Sequence, residues 1–598
     1  MSDYRAPLTE LLFCIQHHAG SGGVASDAQA AREARNEELD VAQSVLEECG
    51  KFAATVLDPL NGAGDRIGAI WKDGGVTTAP GFKEAFRDFT AGGWMGLQHP
   101  IEFGGQGLSK PVAAACIEII NSANTSFSLC PLLSDGAIEA LLTAGSAELK
   151  AAWLPPMVAG RWAGTMNLTE PQAGSDLSLV RTRAEPAPDG TYRIFGTKIF
   201  ITYGEHDLTE NIVHLVLART PGAPEGVKGI SLFVVPKFLT QADGTLGARN
   251  DVYCASIEHK LGIHASPTAV LQYGNDGGAI GYLVGEENRG LEYMFVMMNA
   301  ARFSVGMQGV AVAERAYQKA VAYARERVQS RPVDGSTPHS VTIIHHPDVR
   351  RMLMTMRAHT EAARALGYLV AGSHERARTD PDEAMRRQSK ALYEFLVPLF
   401  KGYATQMSQV VTSLGIQVHG GMGFIEETGA AQLYRDARIL SIYEGTTAIQ
   451  ANDLIGRKTV RDGGATARWV ASEIAATEAQ LERCGTAAAA AVLKHLRPAR
   501  EAYGEVVEFV LERYESDRNV VFAGSVAYLM LAASTVAGWQ LARALLVAAG
   551  SREDGGFRAA KVATARFYAE HVLSQVPGQR DVVIEGGGSV LGMALEGF

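Results

Sequence analysis

Residues 31–58, 82–98 and 108–146 place apolar side chains at helical spacing beneath a charged face, so the pattern predicts a mostly helical first 150 residues. Near Trp162 the period changes. RIFGTKIFIT (193–202), IVHLVLAR (212–219), GISLFVVPKF (229–238) and TAVLQYG (268–274) are short, β-rich and separated by turn signals such as Pro188-Asp189-Gly190 and Asp276-Gly277-Gly278. They predict a compact antiparallel β-domain of roughly 120 residues. Helical stripes return over 291–329, 347–375, 381–415 and 444–456. After Asp462-Gly463-Gly464 come Ala-rich helical patterns at 466–478, 487–514, 520–549 and 556–575. Helix, sheet, helix, helix is an α+β order rather than an alternating βαβ one. The expected divisions are 1–160, 161–285, 286–460 and 461–598.

Composition narrows the function classes. The 598 residues are 47% hydrophobic and 20% charged with a formal charge of −10, which excludes wholesale disorder. No Lys/Arg run of five or more is present, so nucleic acid is not expected as a partner. Six cysteines without C-x-x-C spacing suggest neither zinc nor a disulfide framework and fit a reducing cytoplasm. Residues Met1–His18 lack signal-peptide order, so export is disfavoured. Asn519–Ala542 carries no charge and is long enough to span a bilayer, but its Ala, Ser, Gly and Thr content favours a buried helix over membrane association. His345 and His346 have no third ligand at helical spacing, so a structural role is expected and no metal.

Two segments carry candidate chemistry. In Ile442-Tyr443-Glu444-Gly445-Thr446-Thr447 a Glu followed by Gly sits on an open turn, where a ligand reaches both the carboxylate and an adjacent backbone N–H. Apolar neighbours Ile439, Leu440, Ile442 and Tyr443 imply a desolvated carboxylate, suited to removing a proton from a weakly acidic C–H. The competing reading is that Glu444 caps the helix starting near Thr446. The second segment is Thr165 to Asp176, TMNLTEPQAGSD, with GTKIFIT at 196–202. Its amides and hydroxyls suit a pyrophosphate or the polar edge of a planar ring, with Phe200 covering the ring face. No GxGxxG follows a strand here, so a Rossmann site is not indicated.

Taken in order, the loop 169–176, the strand 196–202, KLGIHAS (260–266), NAARF (299–303), YARER (323–327), QVHGGMGF (417–424) and YEGT (443–446) resemble the acyl-CoA dehydrogenase family over roughly residues 40–460. The added C-terminal segment is similar to a long bacterial subgroup that includes 3-methylmercaptopropionyl-CoA and fatty-acyl-CoA dehydrogenases. The resemblance implies that family's fold: an N-terminal helical domain, a central antiparallel β-domain and a helical bundle, plus an appended helical domain. It implies FAD-dependent α,β-dehydrogenation of an acyl-CoA, either fatty acyl-CoA or 3-methylthiopropionyl-CoA, to trans-2-enoyl-CoA, with electrons passing to an electron-transfer flavoprotein. Glu444 is then the catalytic base, its N–H contacting the thioester carbonyl, with Gly445 beside the substrate. Met166, Leu168, Thr169, Ser175, Phe200, Thr202 and Thr446 match flavin contacts. Arg327, Gln417, Gly420 and Gly421 match positions that reach the FAD of a neighbouring subunit, which implies a homo-oligomer, dimer or tetramer. Ser175, Asn299 and Arg302 match substrate and CoA positions. Ala301 stands where part of the family carries its base, which strengthens Glu444; Phe200 stands in place of the commonest Trp, and Met166 where Tyr is frequent. The alternatives are an acyl-CoA oxidase producing peroxide, and a membrane-associated or assembly role for the C-terminal domain.

Overall fold

The structure, a computed structural model, describes residues 3–20, 29–241, 243–550 and 555–598. It divides into two compact units. One comprises Cys49–Ser109 and Ile119–Ser304; the other comprises Asp3–Glu48, Lys110–Glu118 and Val305–Phe598.

The first unit is built on an eight-stranded sheet. Its path runs Val252–Ile257, Thr268–Tyr273, Tyr192–Thr202, Ala279–Leu283, Ser231–Pro236, Asn211–Ala218 and Trp162–Asn167, with Arg183–Pro186 pairing beside Tyr192–Thr202. The sheet is not purely antiparallel, because Trp162–Asn167 runs parallel to Asn211–Ala218. Both strands are buried along their whole length, as parallel strands covered on two faces are. Inward residues Ile194, Ile201, Val216, Phe233, Val235 and Leu271 make the sheet core.

Helical periodicity located the helices but not their breaks. The 108–146 stripe is two helices, Lys110–Ala123 and Thr125–Ala144, because Asn124 is extended and its side chain accepts the Phe127 N–H at 3.0 Å as an N-cap. Within the helical start lies a hairpin, Ile70–Lys72 against Gly75–Thr77. Its Asp73-Gly74 turn has both φ values positive, at 51° and 81°, as a two-residue type I′ turn requires.

The second unit is helical. Gly290–Glu326 enters it at Val305, followed by Pro347–Thr379 and Glu383–His419. Pro347 starts its helix in the first turn, where no N–H is needed, and the Asp382 carboxylate caps the next by accepting from Ala384 N at 2.8 Å. Ala465–Cys484, Ala487–Arg513, Ser525–Gly550 and Gly556–His571 are the longer helices of its C-terminal part. The uncharged 519–542 stretch is interrupted at Gly524, and Tyr528, Leu529, Leu531, Val536 and Leu545 of Ser525–Gly550 are wholly buried. Among the described residues Ser525–Gly550 and Thr125–Ala144 are long and apolar enough to cross a membrane, yet both are mostly buried inside protein. The apolar surface of Ser525–Gly550 is thus already used in packing. The six cysteines are free thiols, five of them buried.

Candidate active site

Glu444 lies outside the helix that the 444–456 stripe predicts. That helix begins at Thr447, and Thr446 is its N-cap, accepting the Ile449 N–H at 3.3 Å. The capping reading of Glu444 is therefore replaced by Thr446. Glu444 itself sits at φ 53°, a left-handed conformation uncommon for any residue with a Cβ, and Gly445 follows at φ 89°. The turn is held from behind. Lys401, wholly buried on Glu383–His419, donates to Tyr443 O at 2.9 Å and Gly445 O at 2.6 Å, and Gln450 Nε2 donates to Gly445 O at 3.2 Å. The Tyr443 hydroxyl donates to Gln308 Oε1, and burial together with the nearby Glu444 carboxylate pushes that phenol far above its ordinary value. Of the expected apolar neighbours Leu440 is buried, whereas Ile442 is 46% exposed and Glu444 is half-buried. Glu444 is thus not sealed in a core.

In the first unit the second segment is held against the strand that follows it. Ile199 N donates to Thr169 O at 3.0 Å, and the buried Lys198 ammonium reaches Leu168 O at 3.0 Å and Glu170 Oε1 at 2.8 Å. Glu170 also accepts from Arg181 N, Thr182 N and Thr182 Oγ1. Burial alone would raise the Glu170 carboxyl, but Lys198 and these hydrogen bonds overcome it and hold it at about 2. Burial pulls Lys198 down to about 8 against the same partner. The loop's interior polarity is thereby satisfied, which leaves its outer groups for a ligand: Ser175 is exposed, and Leu168, Thr169 and Thr202 are half-buried. Met166 is buried in the sheet opposite Leu215.

Phe200 is the unusual member. The register between Tyr192–Thr202 and Thr268–Tyr273 slips between Ala269 and Leu271, so two residues, Ile199 and Phe200, stand opposite one. Such a bulge redirects a side chain. Phe200 is held at φ 60° with 58% of its surface exposed, so it is not the core aromatic that a strand position ordinarily implies. An exposed ring on a strained backbone, beside outward hydroxyls and amides, fits the planar ring system and pyrophosphate of a flavin dinucleotide.

Asn299 and Arg302 lie in the first unit on Gly290–Glu326, and Arg302 is buried. Arg327, Gln417, Gly420 and Gly421 lie in the second unit, all exposed. Tyr323 stacks on His419 with ring centres 4.5 Å apart, joining the ends of the two helices that carry them. A methyl group at Gly420 or Gly421 would meet no atom within 4 Å, so this backbone is open to a ligand. His345 and His346 bond the carbonyls of Thr342 and Gln329. Sequence reasoning assigned no role to Lys198 or Lys401. The signal for Lys401 was available: it interrupts the buried apolar run Phe395 to Phe400.

Family models match the chain consecutively: the acyl-CoA dehydrogenase N-terminal domain at 40–161, middle domain at 165–275 and C-terminal domain at 288–458, then an acetyl-CoA dehydrogenase C-terminal-like domain at 470–594. The chain is 54% identical to a 3-methylmercaptopropionyl-CoA dehydrogenase of Ruegeria pomeroyi, over 99% of this chain and all of that one. It is 35% identical to a butyryl-CoA dehydrogenase of Syntrophomonas wolfei, over 94% of both. The fold matches an acyl-CoA dehydrogenase complexed with FAD from Bacillus anthracis, with a TM-score of 0.75 at 21% identity, covering 98% of this chain and 94% of that one. With domain matches in order from residue 40 to 594 and a relative similar from end to end, the chain belongs to the acyl-CoA dehydrogenase family and is an FAD-dependent oxidoreductase.

Proposed function

We propose that this enzyme converts a short-chain acyl-CoA, 3-methylthiopropionyl-CoA foremost, to its trans-2-enoyl thioester, with an electron-transfer flavoprotein as the electron acceptor. The observation that carries the reading is the Glu444 turn, where a half-buried glutamate at φ 53° is followed by Gly445 at φ 89°. The Glu444 carboxylate takes the α-proton, and its own backbone N–H hydrogen-bonds the thioester oxygen as negative charge develops there. Bound FAD would supply the acceptor for the substrate's β-hydride. Leu168, Thr169, Ser175, Phe200 and Thr202 hold the ring and adjoining phosphates; Asn299 and Arg302 hold CoA. Arg327, Gln417, Gly420 and Gly421 complete the FAD site of a second copy, so the working form is a homo-oligomer in the cytoplasm. The base belongs to the third of the four divisions, 286–460.

Support for this substrate comes from a relative, similar over 99% of this chain, that is named a 3-methylmercaptopropionyl-CoA dehydrogenase. A thioether for a methylene is a small change for an apolar pocket, on the order of 1–3 kcal/mol at most. Anaerobic titration of the purified flavoprotein with acyl-CoAs of graded length and with 3-methylthiopropionyl-CoA tests the reading. Bleaching is expected with 3-methylthiopropionyl-CoA and with pentanoyl-CoA, at kcat/KM values within about 100-fold of each other. Failure of every acyl-CoA to bleach the flavin sinks it. Stoichiometric peroxide in air would instead establish an oxidase.

Phe200 offers an independent check of the flavin face. Glycine relieves the positive φ but makes the unfolded chain freer, so Phe200→Gly should change apoprotein stability by no more than about 1 kcal/mol. FAD retention should weaken roughly tenfold through the lost ring contact. Calorimetry of the apoprotein and flavin release on dilution read the two effects. A stability loss near the ~3–5 kcal/mol of a core aromatic contradicts this placement.

A further inference from the structure

We propose that Lys401 is the positioning residue of the base turn, holding Glu444 in its strained conformation through the carbonyls on either side of it. The proposal rests on Glu444 being the base. A lysine with no exposed surface is costly unless its charge is used, and the residues around it on the helix, Leu396, Leu399, Phe400 and Ala404, are buried and apolar. This ammonium donates to two carbonyls of one turn, Tyr443 O at 2.9 Å and Gly445 O at 2.6 Å. Gln450 adds a second donor to Gly445 O at 3.2 Å, filling both acceptor sites of that carbonyl.

The geometry has a direct chemical result. In a planar trans peptide the C=O and the N–H point in opposite directions. Fixing Tyr443 O on Lys401 therefore turns the Glu444 N–H away from the helix, and fixing Gly445 O does the same for the Thr446 N–H. The N–H that meets the thioester oxygen is thus aimed by Lys401 through the peptide plane. Glu444, at φ 53°, is bracketed by the two anchored carbonyls, and the helix beyond is pinned by the Thr446 cap and by Gln406 Nε2 on Thr447 Oγ1 at 2.7 Å. Positive φ at a residue with a side chain persists only where its surroundings impose it.

The test compares Lys401→Met with the parent holoenzyme. Expected are unchanged FAD content, a KM within about threefold, and a kcat lower by roughly 100-fold, as for a reacting group misplaced by about 1 Å. The acid limb of the kcat–pH profile should also move to higher pH, because a cation beside the base is gone. A merely structural lysine would lower melting temperature and flavin content and leave that limb in place. Lys401→Gln, which keeps a donor for one carbonyl, should recover part of kcat. Parental kcat and pH profile in Lys401→Met overturn the proposal, as does failure of both variants to fold, which would make the lysine purely structural. Glu444→Gln, assayed in parallel, separates the two ideas: inactive Glu444→Gln with fully active Lys401→Met defeats the brace alone, whereas active Glu444→Gln defeats the base and the brace together.

Discussion

Replacing Glu444 by Gln is expected to slow substrate bleaching of the flavin by about 10⁴-fold, the upper end of what a positioned general base contributes. FAD content and acyl-CoA affinity should stay near the parental values. Gln preserves the size of the side chain and the backbone N–H that meets the thioester, so only the proton acceptor is removed. The effect on stability should be small, because Thr446 and not Glu444 caps the following helix. A residue whose task was capping would show the opposite pattern, a loss of about 1 kcal/mol of stability with bleaching intact. Stopped-flow absorbance under anaerobic conditions, with a thermal melt of the same sample, distinguishes the two. Bleaching at the parental rate would place the base elsewhere.

What the sequence made legible differs between the chemistry and its supports. The Glu-Gly step at 444–445, the loop 169–176 and the aromatic at 200 stand out because they are short and local, and each lies on an irregular piece of backbone in the structure. The long helices were legible for the same reason, since a stripe reports one face without reference to partners. Breaks inside a stripe depend on a single cap, as at Asn124, and periodicity does not register them. The Ile70–Thr77 hairpin was marked by Asp73-Gly74, a strong turn signal, but its three-residue strands are too short to show alternation. The parallel pairing of Trp162–Asn167 with Asn211–Ala218 is a crossover across the intervening chain, which no local pattern encodes. The same holds for Lys198 and Lys401. Each is remote in sequence from the loop it braces, by 30 and 42 residues for the nearest carbonyl contacts, so its role exists only once the chain is folded.

Removal of the Arg364 guanidinium should cost the second unit about 3–5 kcal/mol, the range found when one partner of a buried ion pair is deleted. Arg364 is buried on Pro347–Thr379 and meets Glu118 at 2.7 Å and Glu314 at 2.6 Å. Beside it Lys561 joins Glu10 to Glu361 at 3.0 Å, and Arg357 reaches Glu361 at 2.6 Å. Segments from both ends of the chain are thus fastened to one helix by charge. Burial raises the Glu118 carboxyl despite Arg364, whereas at Glu10 burial is outweighed by Lys561 and Arg364 and the carboxyl is lowered. In Arg364→Met the Glu118 carboxylate, already raised by burial, loses its cation in a dry site, so its folded-state pKa rises further. The sign follows: such groups bind more protons folded than unfolded, so their stabilising protonated form is fully present below the unfolded pKa and lost as pH rises. The deficit of Arg364→Met should therefore be largest near neutral pH and shrink toward pH 4.5, the ordinary glutamate value. A fall in melting temperature on the order of 10 °C at pH 7.5 corresponds to this energy. Adding Glu118→Leu and Glu314→Leu to Arg364→Met should restore much of it, because an apolar replacement of a whole buried cluster is often neutral. A pH-independent deficit in the single variant, or a triple variant no better than the single one, would show that Arg364 acts through packing and not through charge.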